Sequence, residues 1–162
     1  MKAILIALLL FAASCLSPAR AADETHAADR AAIQKVVEQF QAALIARDGK
    51  TLGSLFLQDH DSWLSVLDEK TWLEAKARKP DVKKVHRSSW RRFADMVQNG
   101  KEAIEERFYN VRIDTNGAIA SVYFEFDFLA EGKVDNHGAE SWQMVRAEDG
   151  WKISSMLFSI DR

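Results

Sequence analysis

The sequence predicts an α+β domain: helices first, then an antiparallel meander with the helices laid over one of its faces. Three observations predict it. Residues 118 to 162 read as three consecutive strands joined by two tight turns. The pairs Asn116-Gly117, Glu131-Gly132 and Asp149-Gly150 punctuate the second half of the chain with hairpin signals. Upstream, apolar residues recur at three- and four-residue steps, the period of a helix with one buried stripe.

The elements follow in order. Residues 1 to 21 combine one basic residue, Lys2, an apolar run from Ala3 to Ala13 and the small-x-small site Ala19-Arg20-Ala21. That is the form of a signal peptide, and its apolar run is shorter than the roughly 20 residues that span a membrane. Cleavage near Ala21 is preferred over lipidation at Cys15, because Ala12-Ala13-Ser14 lacks the leucine usual before a lipidated cysteine. The mature chain, residues 22 to 162, is then a single exported domain, periplasmic or secreted, with no cysteine and no disulfide.

Within residues 29 to 47, Ile33, Val36, Val37, Phe40 and Leu44 fall on one helical stripe, with Asp23 or Thr25 as possible caps and Asp48-Gly49 as a stop. A short helix over 50 to 57 follows, then a polar loop and a strand over 62 to 67. Residues 71 to 79 have helical character that Pro80 ends. The periodicity of His86, Trp90, Phe93 and Val97 predicts a helix over 85 to 98, stopped by Asn99-Gly100. Strands are expected over 102 to 114, 118 to 130, 133 to 147 and 151 to 160.

Composition narrows the function classes. The chain has 162 residues, 48% hydrophobic and 28% charged, enough for one domain with its own core. Removing residues 1 to 21 leaves 20 basic and 24 acidic residues, a net charge of −4. A mildly acidic chain has no general attraction for nucleic acid or for an anionic membrane, so neither is an expected partner. Glycine-rich phosphate loops, serine-nucleophile elbows and the zinc-protease signature are absent from the sequence, and no cofactor is expected. Asp59, His60 and Asp61 lack further ligands at defined spacing and read as a solvated loop, so no metal is expected.

Carrying the pairing straight through Glu131-Gly132 sets Phe126 opposite His137, Phe124 opposite Ala139 and Val122 opposite Ser141. His137, Ser141 and Gln143 then point under the helices. A glycine bulge at Gly150 would pair Val145 with Ile153 and carry Trp151, Ser155, Leu157 and Ser159 inward; a two-residue turn there would reverse that choice. The preferred version leaves Trp142, Met144, Met156, Phe158 and Ile160 on the outer face, an apolar patch too large for water.

The order helix, short helix, strand, helix, long strands, with Ser141-Trp142-Gln143-Met144-Val145-Arg146 leading into Asp149-Gly150-Trp151-Lys152-Ile153, resembles the nuclear transport factor 2-like superfamily. The resemblance covers most of residues 28 to 162 and is strongest to secreted bacterial members of the polyketide cyclase-like and lumazine-binding types. It implies a cone-shaped fold with a strongly curved antiparallel sheet covered on its concave face by about three helices, and an internal pocket. It also implies a homodimer through the outer sheet face, here Trp142, Met144, Met156 and Phe158. Enzymes of the superfamily usually place a catalytic Asp or His in the pocket, and many relatives carry histidines on the last strand, where this chain has Ser155 and Leu157.

Among candidate site residues, His137 with Ser141 and Gln143 is first, because one strand would present all three together. His137 is the candidate catalytic group, a general base or proton shuttle if something orients it; the structural alternative is a hydrogen-bonded histidine in a polar corner. His86 and Trp90 would form a wall for a flat ligand, or ordinary core, and Trp63 could line the same mouth. Arg107 and Tyr109 share the parity of Val111 and Ile113, so they would reach inward, unless Glu105 or Glu106 simply pairs with Arg107. Glu140 falls on the outer face in this register.

The expected function is binding of a small, partly apolar molecule in the pocket. The alternatives are a cofactor-free isomerase, cyclase or dehydratase that uses His137, and a non-catalytic dimerisation or interaction module.

Overall fold

A computed structural model describes residues 26–162 of the chain. The leader assignment, Cys15 and the caps at Asp23 and Thr25 lie outside the described residues. The order is α1 (Ala27–Ala46), α2 (Gly49–Ser54), β1 (Ser62–Leu67), α3 (Glu69–Arg78), β2 (Val85–Arg87), α4 (Trp90–Asn99), β3 (Ile104–Thr115), β4 (Ile119–Ala130), β5 (Lys133–Ala147) and β6 (Gly150–Ile160).

Helix α1 buries the expected stripe, Ile33, Val36, Val37, Phe40 and Leu44, with Ala43 added. It packs across β3, and α2 packs against α4. Short helices depend on their caps: the Asp48 carboxylate accepts from Thr51 N at 2.8 Å at the start of α2, and Asp68 does the same for Thr71 N at 2.7 Å at α3. The expected helix over 85 to 98 is split. Val85, His86 and Arg87 form β2 on the edge of β1, and α4 begins only at Trp90. Asp61 is the cause, since its carboxylate accepts from Ser89 Oγ and Trp90 N and fixes the helix start there.

All six strands form one sheet in the order β2-β1-β6-β5-β4-β3. It is curved and unclosed, and helices α1, α2 and α4 supply the side chains that pack with its concave face. The meander β3 to β6 is antiparallel, whereas β1 runs parallel to β6, pairing Trp63 with Met156 and Ser65 with Phe158.

The register corrects the expected faces. At Glu131-Gly132 both residues have positive φ, 50° and 73°, and the turn pairs Ala130 with Lys133 and Leu129 with Val134 as a two-residue hairpin should. One step on, Asp135 is an extra residue in β5, so Phe128 opposes Asn136 and every later pair moves by one. Phe126 therefore opposes Gly138, Phe124 opposes Glu140 and Val122 opposes Trp142. The last hairpin lacks the preferred bulge at Gly150: its turn is the two-residue alternative, pairing Ala147 with Gly150 and Met144, not Val145, with Ile153, and the extra residue of β6 is Ser154. Trp151 and Ile153 point inward as expected, and so do Met156 and Phe158, while Leu157 points out. A third slip, at Asn110 with φ 55°, breaks the common parity of Tyr109 and Val111.

Trp142 and Met144 are consequently 0% and 1% exposed in the core, with Met156 beside them and Phe158 half-buried. The four side chains expected at an outer dimer surface instead hold the helices to the sheet. Trp142 packs on Phe40 of α1 at 5.0 Å between ring centroids and edge-on against Phe124 at 5.1 Å.

Candidate functional site

A cavity of about 400 Å³ opens between the concave face of the sheet and helices α1 and α4. Its walls are aromatic. Trp63 packs against Phe93 of α4 at 5.1 Å and edge-on to Phe158 at 5.9 Å; Phe158 in turn meets Phe126 at 6.3 Å. These rings reach one space because Trp63, Phe158 and Phe126 lie on the inward parity of β1, β6 and β4, and α4 turns Phe93 toward them.

Two buried carboxyl groups line the same space, Glu106 from β3 and Glu140 from β5, on either side of β4, and the exposed Asp135 brings a third carboxyl. The two glutamates are 8% and 3% exposed. Glu140 Oε1 accepts a hydrogen bond from Trp142 Nε1 at 2.7 Å, whereas Glu106 Oε2 is buried with no partner among the described residues. Burial pushes the Glu140 carboxyl up to about 8, against the opposing effect of the Trp142 N–H. Burial also pushes Glu106 well above the usual carboxylate range, and the neighbouring Glu140 charge pushes it further. A carboxyl that titrates near neutrality inside an apolar cavity can donate a proton, accept one, or neutralise a cation.

The expected site residues divide between the two faces of the sheet. Trp63 and His86 line the cavity, with His86 half-buried at the edge strand opposite Ser65. Trp90 does not; it stacks on Phe56 at 5.3 Å and borders a separate depression of about 550 Å³ with Gly53 and Arg91. Arg107, Tyr109, His137, Ser141 and Gln143 lie on the convex face, a correction that follows from the bulges at Asn110 and Asp135. There Arg107 pairs with Glu105 at 2.7 Å, Tyr109 Oη donates to Asp127 at 2.9 Å, and Gln143 accepts from Ser121 Oγ at 3.0 Å. His137 does have an orienting carboxylate, Asp161 at 3.1 Å, but its side chain is 55% exposed and away from the cavity.

The two buried glutamates are the residues that sequence reasoning placed elsewhere. A signal for Glu140 was present: it has the parity of Trp142 and Met144, and two large apolar residues alternating along a strand mark its buried side. Glu106 has the parity of Phe108 in the same way.

No protein-family model and no curated protein sequence matches the chain. Solved structures do. The chain is similar to a candidate scytalone dehydratase from Novosphingobium aromaticivorans, with a TM-score of 0.61 at 14% identity over 86% of this chain and 88% of that one. It is similar to an NTF2-like protein from Shewanella baltica, with a TM-score of 0.59 at 15% identity over 83% and 95%. A candidate dehydratase of the NTF2-like family from Streptomyces avermitilis gives 0.58 at 20% identity over 83% and 97%. At such identities the likeness establishes architecture and leaves the chemistry to each chain's own side chains. With its curved six-stranded sheet and covering helices, the chain has the cystatin-like α+β fold of the nuclear transport factor 2-like proteins.

Proposed function

We propose that the chain is an exported domain that binds a small, partly apolar molecule in the concave cavity, with Trp63, Phe93, Phe126 and Phe158 as walls and Glu106 and Glu140 as the polar contacts. The observation that carries this reading is the pair of buried carboxyls in a cavity walled largely by aromatic rings. Apolar pockets with a few convergent polar groups and perturbed titration are where small ligands bind. His86 and Ser65 add polar atoms near the edge, and the role first expected of His137 passes to the two glutamates.

The test fills the cavity. Ser65 lines it and is buried, so Ser65→Leu puts three extra carbon atoms where a ligand would sit. Compounds that raise the melting temperature of the wild type should lose that effect in Ser65→Leu, while the melting temperature without ligand stays within a few degrees. Equal stabilisation of both proteins would place binding elsewhere and end the reading.

A second reading is a cofactor-free acid–base enzyme. What favours it is Glu140, whose carboxyl exchanges its proton near neutral pH. Two of the similar structures are described as candidate dehydratases, which agrees with a proton-transfer role. Turnover that survives Glu140→Gln unchanged would remove it.

A further inference from the structure

We propose that the ligand of this cavity is an organic cation, a small amine with an aromatic or aliphatic body, held by Glu106 and Glu140 together. The proposal rests on the cavity-binding reading above and adds the ligand's charge. Glu106 is buried, 8% exposed, and its Oε2 has no hydrogen-bond partner among the described residues. An acceptor left bare in an apolar space is costly unless a donor arrives. Glu140 offers a second oxygen in the same cavity, because only Oε1 is engaged by Trp142. One ammonium group carries up to three N–H donors and a charge opposite to that of the carboxylates.

The walls fit the same ligand. Trp63, Phe93, Phe126 and Phe158 present ring faces and edges around the carboxyls, and an ammonium beside such faces gains cation–π attraction. A volume of about 400 Å³ accommodates a two-ring body. The remaining charged or titratable groups sit at the edge of the cavity: His86 and Arg87 on β2, Asp135 on β5 and Arg162 after β6. Arg162 pairs with Asp135 at 3.2 Å, which balances those two charges. Helices α1 and α4 contribute only Phe40, Phe93 and Met96 to the lining, so among the described residues neither helix brings a lysine or arginine to the cavity. Binding a cation there requires the carboxyl proton to leave to solvent, so the cation and the proton compete.

Isothermal titration calorimetry of the protein with three probes tests this: 1-naphthylmethylamine, 1-naphthalenemethanol and 1-naphthoate. The amine should bind at least about tenfold more tightly than the alcohol at pH 8, and the carboxylate weakest. Its affinity should rise by up to about tenfold per unit between pH 6 and 8, with release of about one proton seen by comparing phosphate and Tris buffers. Glu106→Gln and Glu140→Gln should each remove most of the preference for amine over alcohol, and both keep the side-chain volume. An alcohol that binds as well as the amine would overturn the cation proposal and leave the cavity reading standing. Binding of none of the three would overturn both.

Discussion

Trp142 and Glu140, two positions apart on β5, form a buried hydrogen bond of 2.7 Å from the indole Nε1 to the carboxyl Oε1. Strand parity puts both side chains on the concave face, so the indole fills the core under α1 while its one polar atom anchors the carboxyl at the cavity. Trp142→Phe keeps most of the packing and deletes the donor. Urea denaturation at pH 7 should show a loss of roughly 1–3 kcal/mol, and the Glu140 carboxyl should titrate higher than in the wild type. An unchanged titration would mean that the indole does not bear on the carboxyl.

Stability should fall as pH rises. The folded chain holds the Glu140 proton up to about 8, whereas the unfolded chain loses it near 4.5. The folded state therefore binds more protons across that window, and the stability this provides is full below about 4.5 and lost as pH climbs through about 8. Glu106 acts in the same direction. The free energy of unfolding should drop by an amount on the order of 3 kcal/mol between pH 5 and 8. The double replacement Glu106→Gln with Glu140→Gln should flatten the slope. A wild type that is equally stable at both pH values would show that neither carboxyl is held protonated by the fold.

Gly138 has a Cβ position only 2.2 Å from the Ser159 carbonyl oxygen, the strand-end approach that lets β6 and Asp161 lie against β5. Gly138→Ala should cost roughly 1–3 kcal/mol through displaced backbone. A variant with the wild-type melting temperature would show that β6 can shift aside freely.

His137→Ala tests the corrected register. On the convex face the residue gives up one half-exposed side-chain contact with Asp161, a loss of at most about 1 kcal/mol. Ligand-induced stabilisation should be the same in wild type and variant. A variant that no longer responds to ligand would return His137 to the site and contradict the face assignment.

A homodimer, if formed through the sheet, must use the convex face as the structure draws it. Tyr109, Tyr123 and Leu157 are exposed there. We propose these in place of Trp142, Met144, Met156 and Phe158. Light scattering at micromolar concentration should give twice the chain mass, and Tyr123→Glu with Leu157→Glu should halve it. A monomeric wild type would remove the dimer.

The α+β order and most element boundaries were legible because they rest on local signals. The apolar stripe of α1, the strand over Ser62–Leu67 and the Gly-containing turns each decide their own segment. The faces of the sheet were not, because side-chain direction accumulates along a strand and one extra residue inverts everything after it. Asp135, Ser154 and the Asn110 slip are three such insertions; asparagine tolerates the positive φ that Asn110 adopts, but alternation along the strand does not place an insertion at any of the three. His137 and Glu140 exchanged places for that reason alone: the turn at Glu131-Gly132 was read correctly, and the bulge three residues later reversed its consequence. The split of residues 85 to 98 into β2 and α4 has a different origin, a long-range cap from Asp61 that local periodicity cannot register.

The most direct test of the account is a crystal structure of the protein with the compound that stabilises it most. The prediction is ligand density between Trp63 and Phe158, in contact with Glu106 and Glu140. Density on the convex face beside His137, with the cavity unchanged, would contradict it.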